Sequence, residues 1–268
     1  KIIKEIQFDL ESSQRMFRIL QGDVGSGKTI ISLMSVLDVI ESGYQCGLMA
    51  PTSILAEQHF LLFKQLIKKT NMRIHFSLLT GKTEPKERKI ILDNLKNNKI
   101  NFIIGTHALF QKTIIFKKLG LVIIDEQHKF GVQQRIRFAK KGGSNCDVLL
   151  MSATPIPRTM IMSIYGDMDT SRLMEKPMQR KKIITLSKPE NKIDDLWPFI
   201  KKKIDNKEQI FWVCPLIEDS TKLDFSSTER MFKLLSKKFN KKVGIIHGSL
   251  DQNEKEKVLK EFLNNKIS

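Results

Sequence analysis

Two adjacent carboxylates, Asp125 and Glu126, directly follow the apolar run 121–124. A short apolar run bounded by polar residues is typical of a strand that is buried on both faces, as in parallel sheets. Charges at the end of such a strand are costly unless they reach solvent or meet a cation. Taken alone, the pair fits either an ordinary strand exit into solvent or a site that holds a cation.

A second segment, GDVGSGKT at residues 22–29, matches the phosphate-loop pattern G-x-x-x-x-G-K-[ST] in full. Its glycines let the backbone turn so that successive N–H groups converge on phosphate oxygens. It follows a predicted strand and opens a predicted helix, whose N-terminus favours anions. The predicted nucleotide-binding residues are Gly22, Asp23, Val24, Gly25, Ser26, Gly27, Lys28 and Thr29.

The phosphate loop gives the two carboxylates a role. Lys28 can reach the β- and γ-phosphates, and the Thr29 hydroxyl can ligate Mg²⁺. A parallel strand next to the loop would bring Asp125 to the same Mg²⁺, and Glu126, just past the strand, could turn toward the γ-phosphate. We therefore predict that Glu126 orients or activates the attacking water, with Lys28 and Asp125 as the other catalytic residues. The predicted cofactors are ATP and Mg²⁺, with Thr29 and Asp125 as metal ligands.

Short apolar runs alternate with amphipathic segments along the chain, and this alternation predicts an α/β fold with a mainly parallel sheet. Such sheets bind ligands at the carboxyl ends of their strands. The predicted strands are 16–20, 46–50, 74–79, 101–105, 121–125 and 147–152, and the predicted helices are 28–41, 54–69, 84–97 and 132–140. After an interruption at 175–190, the pattern resumes with strands 182–187, 209–214 and 243–247 and helices 193–204, 226–239 and 252–264. We predict one domain at 1–177 and part of a second at 178–268.

Composition narrows the possible partners. The formal net charge of +17 and the sequence pI of about 9.7 favour a polyanion. Only ten of the 46 basic residues are Arg, however, so the charge could also reflect Lys on solvated faces. No apolar run approaches the roughly 18 to 20 residues that span a bilayer, so we expect no membrane partner. Cys46, Cys146 and Cys214 lack metal-binding spacing and suit a reducing cytosol, and we expect Cys46 and Cys214 to be core residues.

Several motifs together resemble those of superfamily 2 helicases. DEQH (125–128) looks like their Walker B box, APTSILAEQH (50–59) like motif Ia, GTHALFQ (105–111) like motif Ib and MSATPIPRT (151–159) like motif III. The longer phrases around these motifs are similar to those of branched-DNA helicases. VCPLIEDS (213–220) and VGIIHGSL (243–250) match the start of their second motor domain. The resemblance covers essentially the whole chain and implies a P-loop NTPase, with a RecA-like domain followed by a partial second one.

The resemblance implies roles for further residues. Those that would couple nucleotide state to DNA grip are Gln127, His128, Ser152 and Thr154. Those that would lie along the DNA are Pro51, Thr52, Gly81, Gly105, Thr106, His107, His247 and Gly248. Each also has an ordinary explanation. The PTS and GTH segments are common strand-to-helix turns with N-cap residues, IHGSL (246–250) could cap the following helix, and His128 alone could be a surface or core histidine.

The implied activity is ATP-dependent remodelling of branched DNA, such as stalled forks and Holliday junctions, by a monomeric cytoplasmic protein associated with the bacterial nucleoid. The alternatives are a duplex-DNA translocase that couples transcription to repair, and a truncated module that binds nucleotide or DNA without hydrolysis. The chain begins without Met and ends just after a helical pattern, so we expect a fragment that lacks motifs V and VI. An arginine finger in motif VI would contribute about 10³ to 10⁵ in turnover, so we expect weak nucleotide binding and very slow hydrolysis.

Overall fold

The computed structural model describes residues 1–69, 72–111, 113–126, 143, 146–154, 168–174, 183–214, 223–239 and 242–268. The chain divides into two compact units, residues 1–181 and 182–268. The predicted domain boundary at 177/178 lies outside the described residues, as does the predicted helix 132–140.

The first unit is built on a seven-stranded sheet. Its strands are β1 (Phe17–Gly22), β2 (Gln45–Met49), β3 (Phe76–Leu79), β4 (Phe102–Gly105), β5 (Leu119–Ile124), β6 (Asp147–Ser152) and β7 (Asp169–Leu173). They lie in the order β3-β4-β2-β5-β6-β1-β7, and each pairing is parallel. The predicted α/β class with a mainly parallel sheet is therefore confirmed. The carboxyl ends of all seven strands meet at one edge of the sheet.

Helices connect these strands and cover the sheet. The first unit contains α1 (Ile2–Glu11), α2 (Lys28–Glu41), α3 (Ser53–Lys68) and α4 (Pro85–Lys96), with a short 3₁₀ helix at His107–Phe110. The second unit contains a 3₁₀ helix at Glu190–Asp195, then α5 (Leu196–Asp205), α6 (Leu223–Lys238) and α7 (Gln252–Leu263). Six helices correspond to predicted ones, whereas α1 was not predicted.

The apolar runs form strands because both faces of the sheet are covered. Along β5, Leu121 and Ile123 pack into the core on one face, whereas Val122 and Ile124 pack into the core on the other. Successive strand residues point to opposite faces, so burial on both faces requires an unbroken apolar sequence. The first core includes side chains of α1, α2 and α3, and the second includes those of α4.

Polar contacts attach α1 and β7 to the sheet. Arg18 on β1 is 8% exposed and donates to Asp9 on α1 at 2.6 Å and to Ser171 on β7 at 2.8 Å. The Ser171 hydroxyl donates in turn to Glu5 on α1 at 2.7 Å. This buried network stabilises β7, a strand with little apolar sequence of its own.

The second unit departs from the prediction. The described parts of the predicted strands 182–187, 209–214 and 243–247 have no strand assignment. A strand requires a ladder of backbone hydrogen bonds to a neighbour, and the described residues provide none for these segments. Ile184, Phe211 and Val213 are 79%, 74% and 81% exposed, as expected for apolar segments without a covering layer. The prediction of strands in these three segments is therefore wrong in this structure.

The cysteines are free thiols. Cys46 and Cys146 are buried, and burial raises the pKa of the Cys46 thiol well above its usual range. Burial also raises the pKa of Cys146 to about 12, against an opposing effect of Arg15. Both thiols therefore stay protonated at neutral pH and behave as small apolar side chains. Cys214 is half-buried, so its prediction as a core residue is wrong.

Gln45, at the start of β2, joins three parts of the first unit. Its fully buried amide nitrogen donates to the carbonyls of Leu95 and Ile100 at 2.9 and 2.8 Å. Its amide oxygen accepts the backbone N–H groups of Lys117 and Lys118 at 2.8 and 3.0 Å. These four bonds use the two donor hydrogens and both lone pairs of the amide. Gln45 therefore holds the end of α4 and the approach to β5 against β2.

Replacing Gln45 by alanine is expected to lower the free energy of unfolding by about 2 to 4 kcal/mol, because two buried carbonyls and two partly buried N–H groups would lose their partner. Urea denaturation followed by circular dichroism measures this change. Gln58→Ala on the exposed face of α3 is the matched control and should stay within about 0.5 kcal/mol of the original chain. Equal stability of the two variants would contradict the role of Gln45.

Candidate functional site

The segment 22–29 joins β1 to α2 at the carboxyl edge of the sheet. Gly25 and Gly27 have φ angles of 81° and 95°, a left-handed conformation that favours glycine. A Cβ atom at Gly22 would lie 2.5 Å from Ser26 Oγ and 2.8 Å from Leu173 Cβ, so no larger residue fits there without a shift. The predicted phosphate loop thus lies between a strand and the N-terminus of a 14-residue helix.

The polar groups of this loop suit a phosphate. The Lys28 ammonium donates to the carbonyl oxygens of Gly22 at 2.5 Å and Asp23 at 3.0 Å, within the loop itself. The Ser26 hydroxyl is buried and has no hydrogen-bond partner among the described residues. Val24 is 70% exposed at the tip of the loop. A cation, an unused hydroxyl and a helix N-terminus together form an anion site.

Asp125 and Glu126 follow β5 at the same edge. Asp125 is 8% exposed, and its carboxylate accepts two hydrogen bonds, from His59 Nε2 at 2.8 Å and from the Glu126 backbone N–H at 2.9 Å. Glu126 has a φ angle of 46°, which is uncommon for a residue with a side chain. Glu126 thus adopts a left-handed backbone conformation directly after β5 and Asp125.

The donor set at this edge fits Mg²⁺ bound to a nucleotide. Mg²⁺ prefers oxygen ligands and is usually held by one or two carboxylates together with substrate phosphates. Asp125 offers a carboxylate with lone pairs to spare, and Thr29 offers a hydroxyl at the start of α2. The described part of the chain holds no cluster of three or more His, Cys, Asp or Glu side chains around a common point. An all-protein metal cage is therefore not the arrangement that these residues form.

The prediction that Asp125 follows a strand next to the phosphate loop is wrong. Asp125 follows β5, which is not the immediate neighbour of β1. Strand β6 lies between β1 and β5. At its end the Ser152 hydroxyl is within 3.1 Å of the Thr154 hydroxyl and accepts the Thr154 backbone N–H at 3.2 Å. The two described residues predicted to couple nucleotide and DNA thus lie between the phosphate loop and Asp125. Gln127 and His128 fall outside the described residues.

The residues predicted to contact DNA in the first unit follow the three strands on the other side of β5. Pro51 and Thr52 follow β2, Gly81 follows β3, and the GTH segment begins at the last residue of β4. Because β3, β4 and β2 are consecutive in the sheet, these residues share one part of its carboxyl edge. Ordinary structural roles are also present. The Thr52 hydroxyl caps α3 by accepting the Leu55 N–H at 3.3 Å.

Packing constrains the GTH segment. A Cβ atom at Gly105 would overlap the Leu79 carbonyl oxygen, so the adjacent strand alone explains this glycine. Thr106 is buried, whereas His107 is exposed at the start of the 3₁₀ helix. Of these three residues, His107 is the one whose side chain is open to a partner.

His247 and Gly248 lie in the second unit, where His247 is half-buried and Gly248 is exposed. The Gly248 carbonyl accepts a hydrogen bond from Lys255 at 2.9 Å. The alternative explanation of IHGSL as the cap of the following helix is wrong, because Asp251 caps α7. The Asp251 side chain accepts the Glu254 N–H at 2.8 Å, and Glu254 reaches back to the Asp251 N–H. Capping therefore does not account for His247 or Gly248.

His59 is the site residue that sequence reasoning missed. It lies on α3 within the quoted motif Ia, yet its partner Asp125 is 66 positions away in the chain. The available signal was its position on the helix face that also carries Ala56 and Phe63, both buried. A polar residue at an inward helical position needs a partner.

A parallel sheet with a phosphate loop after β1 and a buried aspartate after β5 defines the P-loop class of nucleotide-binding domains. The sequence model of the DEAD/DEAH box helicase family matches residues 2–162, so the chain belongs to that family. Within it, the chain is 45% identical to the ATP-dependent DNA helicase RecG of Thermotoga maritima over 97% of its length and 43% identical to RecG of Bacillus subtilis over 98%. It spans 33% and 38% of those two proteins.

Solved structures agree with this relationship. A structure of RecG bound to a three-way DNA junction superposes with a TM-score of 0.80 at 40% identity, covering 98% of this chain and 34% of that one. A DEAD-box helicase bound to single-stranded RNA superposes with a TM-score of 0.64 at 20% identity, covering 97% and 57%. The second likeness shows the fold alone, and together they confirm the predicted RecA-like class. Within the described residues, no helix is long and apolar enough to cross a membrane.

Proposed function

We propose that this chain is the ATP-driven motor of a RecG-like helicase that remodels branched DNA, such as stalled forks and four-way junctions, in recombination and repair. The observation that carries the proposal is the likeness to RecG bound to a three-way junction, which extends over 98% of the chain at 40% identity. Membership of the DEAD/DEAH box family independently implies the use of ATP. DNA as a partner would place the protein in the bacterial cytoplasm, at the nucleoid.

In this proposal the nucleotide occupies the carboxyl edge at β1, β6 and β5. Lys28 would exchange the neutral Gly22 and Asp23 carbonyls for negatively charged phosphate oxygens, which form stronger hydrogen bonds with an ammonium. Thr29 and Asp125 would hold Mg²⁺, which would supply positive charge to the bound phosphates. Glu126 would orient the water that attacks the γ-phosphorus and would accept its proton, while the bond from the γ-phosphorus to the bridging oxygen breaks and ADP leaves. The Ser152 and Thr154 pair, at the carboxyl end of β6 between β1 and β5, would sense the change in charge.

The DNA would follow the other part of the same edge. The ends of β2, β3 and β4 present the start of α3, the Gly81 turn and His107. Backbone N–H groups and exposed polar side chains of this kind bind phosphates without reading base sequence. The net charge of +17 would strengthen such backbone contacts. Nucleotide and DNA would thus bind at neighbouring parts of one rigid sheet.

The proposal is tested by the coupling between the two ligands. We expect a four-way DNA junction to tighten the binding of a fluorescent non-hydrolysable ATP analogue by about fivefold or more. The coupling free energy between two linked binding sites is typically about 1 to 3 kcal/mol. Fluorescence titration of the chain with and without the junction measures this effect. Raising the salt concentration should remove it, since phosphate contacts weaken steeply with salt.

An RNA duplex and a linear DNA duplex of the same length are the matched controls. Both should tighten nucleotide binding less than the junction does. An equal effect of the RNA duplex would favour an RNA helicase, and an absence of any effect of DNA would contradict the proposed motor function.

A further inference from the structure

The inward face of α3 carries one polar residue between two apolar ones. Ala56 and Phe63 are 0% and 1% exposed, and His59 between them is 7% exposed. Burying an imidazole at such a position costs free energy unless its ring nitrogens have hydrogen-bond partners. Packing alone therefore does not explain a histidine at this position.

His59 meets the carboxylate that follows β5. Its Nε2 lies 2.8 Å from Asp125 Oδ2, and the two side chains are 9% and 11% exposed. A carboxylate accepts hydrogen bonds, so the proton between the two atoms is donated by the ring nitrogen. The other oxygen, Oδ1, accepts the Glu126 backbone N–H at 2.9 Å. The carboxylate is thus held at both oxygens, and its plane is fixed.

The fold does not itself require this pair. The Asp125 backbone N–H already continues the sheet by donating to the Met49 carbonyl at 2.8 Å, which any residue except proline could do. An apolar pair of similar volume would bury the same surface without desolvating a carboxylate. The reason for a polar pair at this position therefore lies in a function of the Asp125 carboxylate and not in the stability of the fold. Each of its oxygens keeps a lone pair for a further partner.

We propose that His59 is a positioning residue, whose ring N–H orients the Asp125 carboxylate so that its remaining lone pairs face the Mg²⁺ of a bound nucleotide. This inference rests on the proposed function, since it assumes a nucleotide at the phosphate loop. His59 touches neither the nucleotide nor the metal. It acts by holding Asp125 before the ligands arrive.

Loss of the N–H should weaken Mg²⁺ binding without weakening nucleotide binding as such. His59→Leu keeps most of the volume and removes the donor. We expect it to raise the Mg²⁺ concentration needed for half-saturation of the ADP-bound chain by about 10- to 100-fold, the usual effect of losing a partner that orients a metal ligand. Affinity for fluorescent ADP in the presence of EDTA should be unchanged. Titration of Mg²⁺ against the chain loaded with fluorescent ADP measures both values.

Two further variants separate positioning from packing. His59→Gln places an amide N–H near the position of Nε2 and should bring the Mg²⁺ half-saturation back close to its original value. Phe63→Leu removes buried volume from the same face of α3, one turn further on, and should lower the melting temperature without changing the Mg²⁺ response. If His59→Leu does not fold, His59→Asn serves instead, because its shorter amide does not reach Asp125.

The outcomes distinguish this inference from the proposed function. Asp125→Asn is the reference variant and should weaken Mg²⁺ binding at least as strongly as His59→Leu. If Asp125→Asn has this effect and His59→Leu leaves Mg²⁺ half-saturation unchanged, the positioning role is wrong while the nucleotide site stands. An equal loss in Phe63→Leu would also overturn it. If the original chain binds no ADP, the proposed function fails and the inference fails with it.

Discussion

Replacing Lys28 by alanine is expected to weaken the binding of a fluorescent ATP analogue by about 10- to 150-fold. The ammonium now donates to two carbonyls of its own loop, at Gly22 and Asp23, and would donate to phosphate oxygens instead when nucleotide is bound. A hydrogen bond to a charged partner contributes about 1.5 to 3 kcal/mol, which corresponds to this change in the dissociation constant. Fluorescence titration at fixed Mg²⁺ measures it.

The control for this variant is Val24→Ala. Val24 lies in the same loop, where its predicted contact with phosphate is made by the backbone N–H, which alanine keeps. Its side chain is 70% exposed, so its truncation removes neither a charge nor an N–H group. Its affinity for the analogue should match that of the original chain. Melting temperatures of both variants show whether Lys28→Ala loses the fold rather than the ligand. Unchanged affinity in a folded Lys28→Ala chain would mean that the phosphates bind elsewhere.

The sheet of the first unit could be predicted wherever burial on both faces demands apolar sequence. Six of its strands arose from such runs. Strand β7 was missed because its sequence, DTSRL, is mostly polar. It is stabilised instead by pairing with β1 and by the contact of Ser171 with Arg18 across 153 positions. A contact between residues so far apart in the chain leaves no pattern in the local sequence.

Helix α1 was missed for a different reason. Its apolar residues at 2, 3, 6 and 10 have helical spacing, and Ile6 is buried against the sheet. The amphipathic pattern of α1 is therefore visible in the sequence itself. In the second unit the opposite error occurs, because short apolar runs such as IFWVC (210–214) predict strands that the described residues do not form. A short apolar run becomes a strand only when another strand lies beside it.

The phosphate loop has a more local sequence signal than the residues around it. Phosphate binding requires glycines, a lysine and a hydroxyl within eight consecutive residues, so the chemistry leaves a local pattern in the sequence. The order of the strands leaves none, and the position of β6 between β1 and β5 was not anticipated. The same is true of His59, whose role depends on a helix that packs beside the end of β5.

Under the proposed function, the two halves of the carboxyl edge would bind two different ligands. The order β3-β4-β2-β5-β6-β1-β7 places the predicted DNA residues on three consecutive strands and the predicted nucleotide residues on the next three. Asp125 ends the strand at the boundary, and its partner His59 belongs to α3, whose cap Thr52 is a predicted DNA contact. A shift of α3 on DNA would therefore reach the metal ligand through one hydrogen bond.

Replacing Glu126 by glutamine is expected to slow ATP hydrolysis by about 10² to 10⁴, the usual contribution of a general base, while nucleotide affinity stays near its original value. Glutamine keeps the length of the side chain, so the left-handed turn at φ 46° is equally strained in both chains. Single-turnover hydrolysis of γ-labelled ATP, with protein in excess, resolves slow rates as well as fast ones.

The control is Glu57→Gln, which makes the same change of charge on the exposed face of α3. Its hydrolysis rate should equal that of the original chain. Asp125→Asn should differ from Glu126→Gln in kind, because it impairs Mg²⁺ binding as well as hydrolysis, whereas Glu126→Gln affects hydrolysis alone. If Glu126→Gln weakens Mg²⁺ binding and leaves the hydrolysis rate intact once Mg²⁺ saturates, the roles assigned to the two adjacent carboxylates must be exchanged. The sharp turn at Glu126 would then serve to bring a second ligand to the metal.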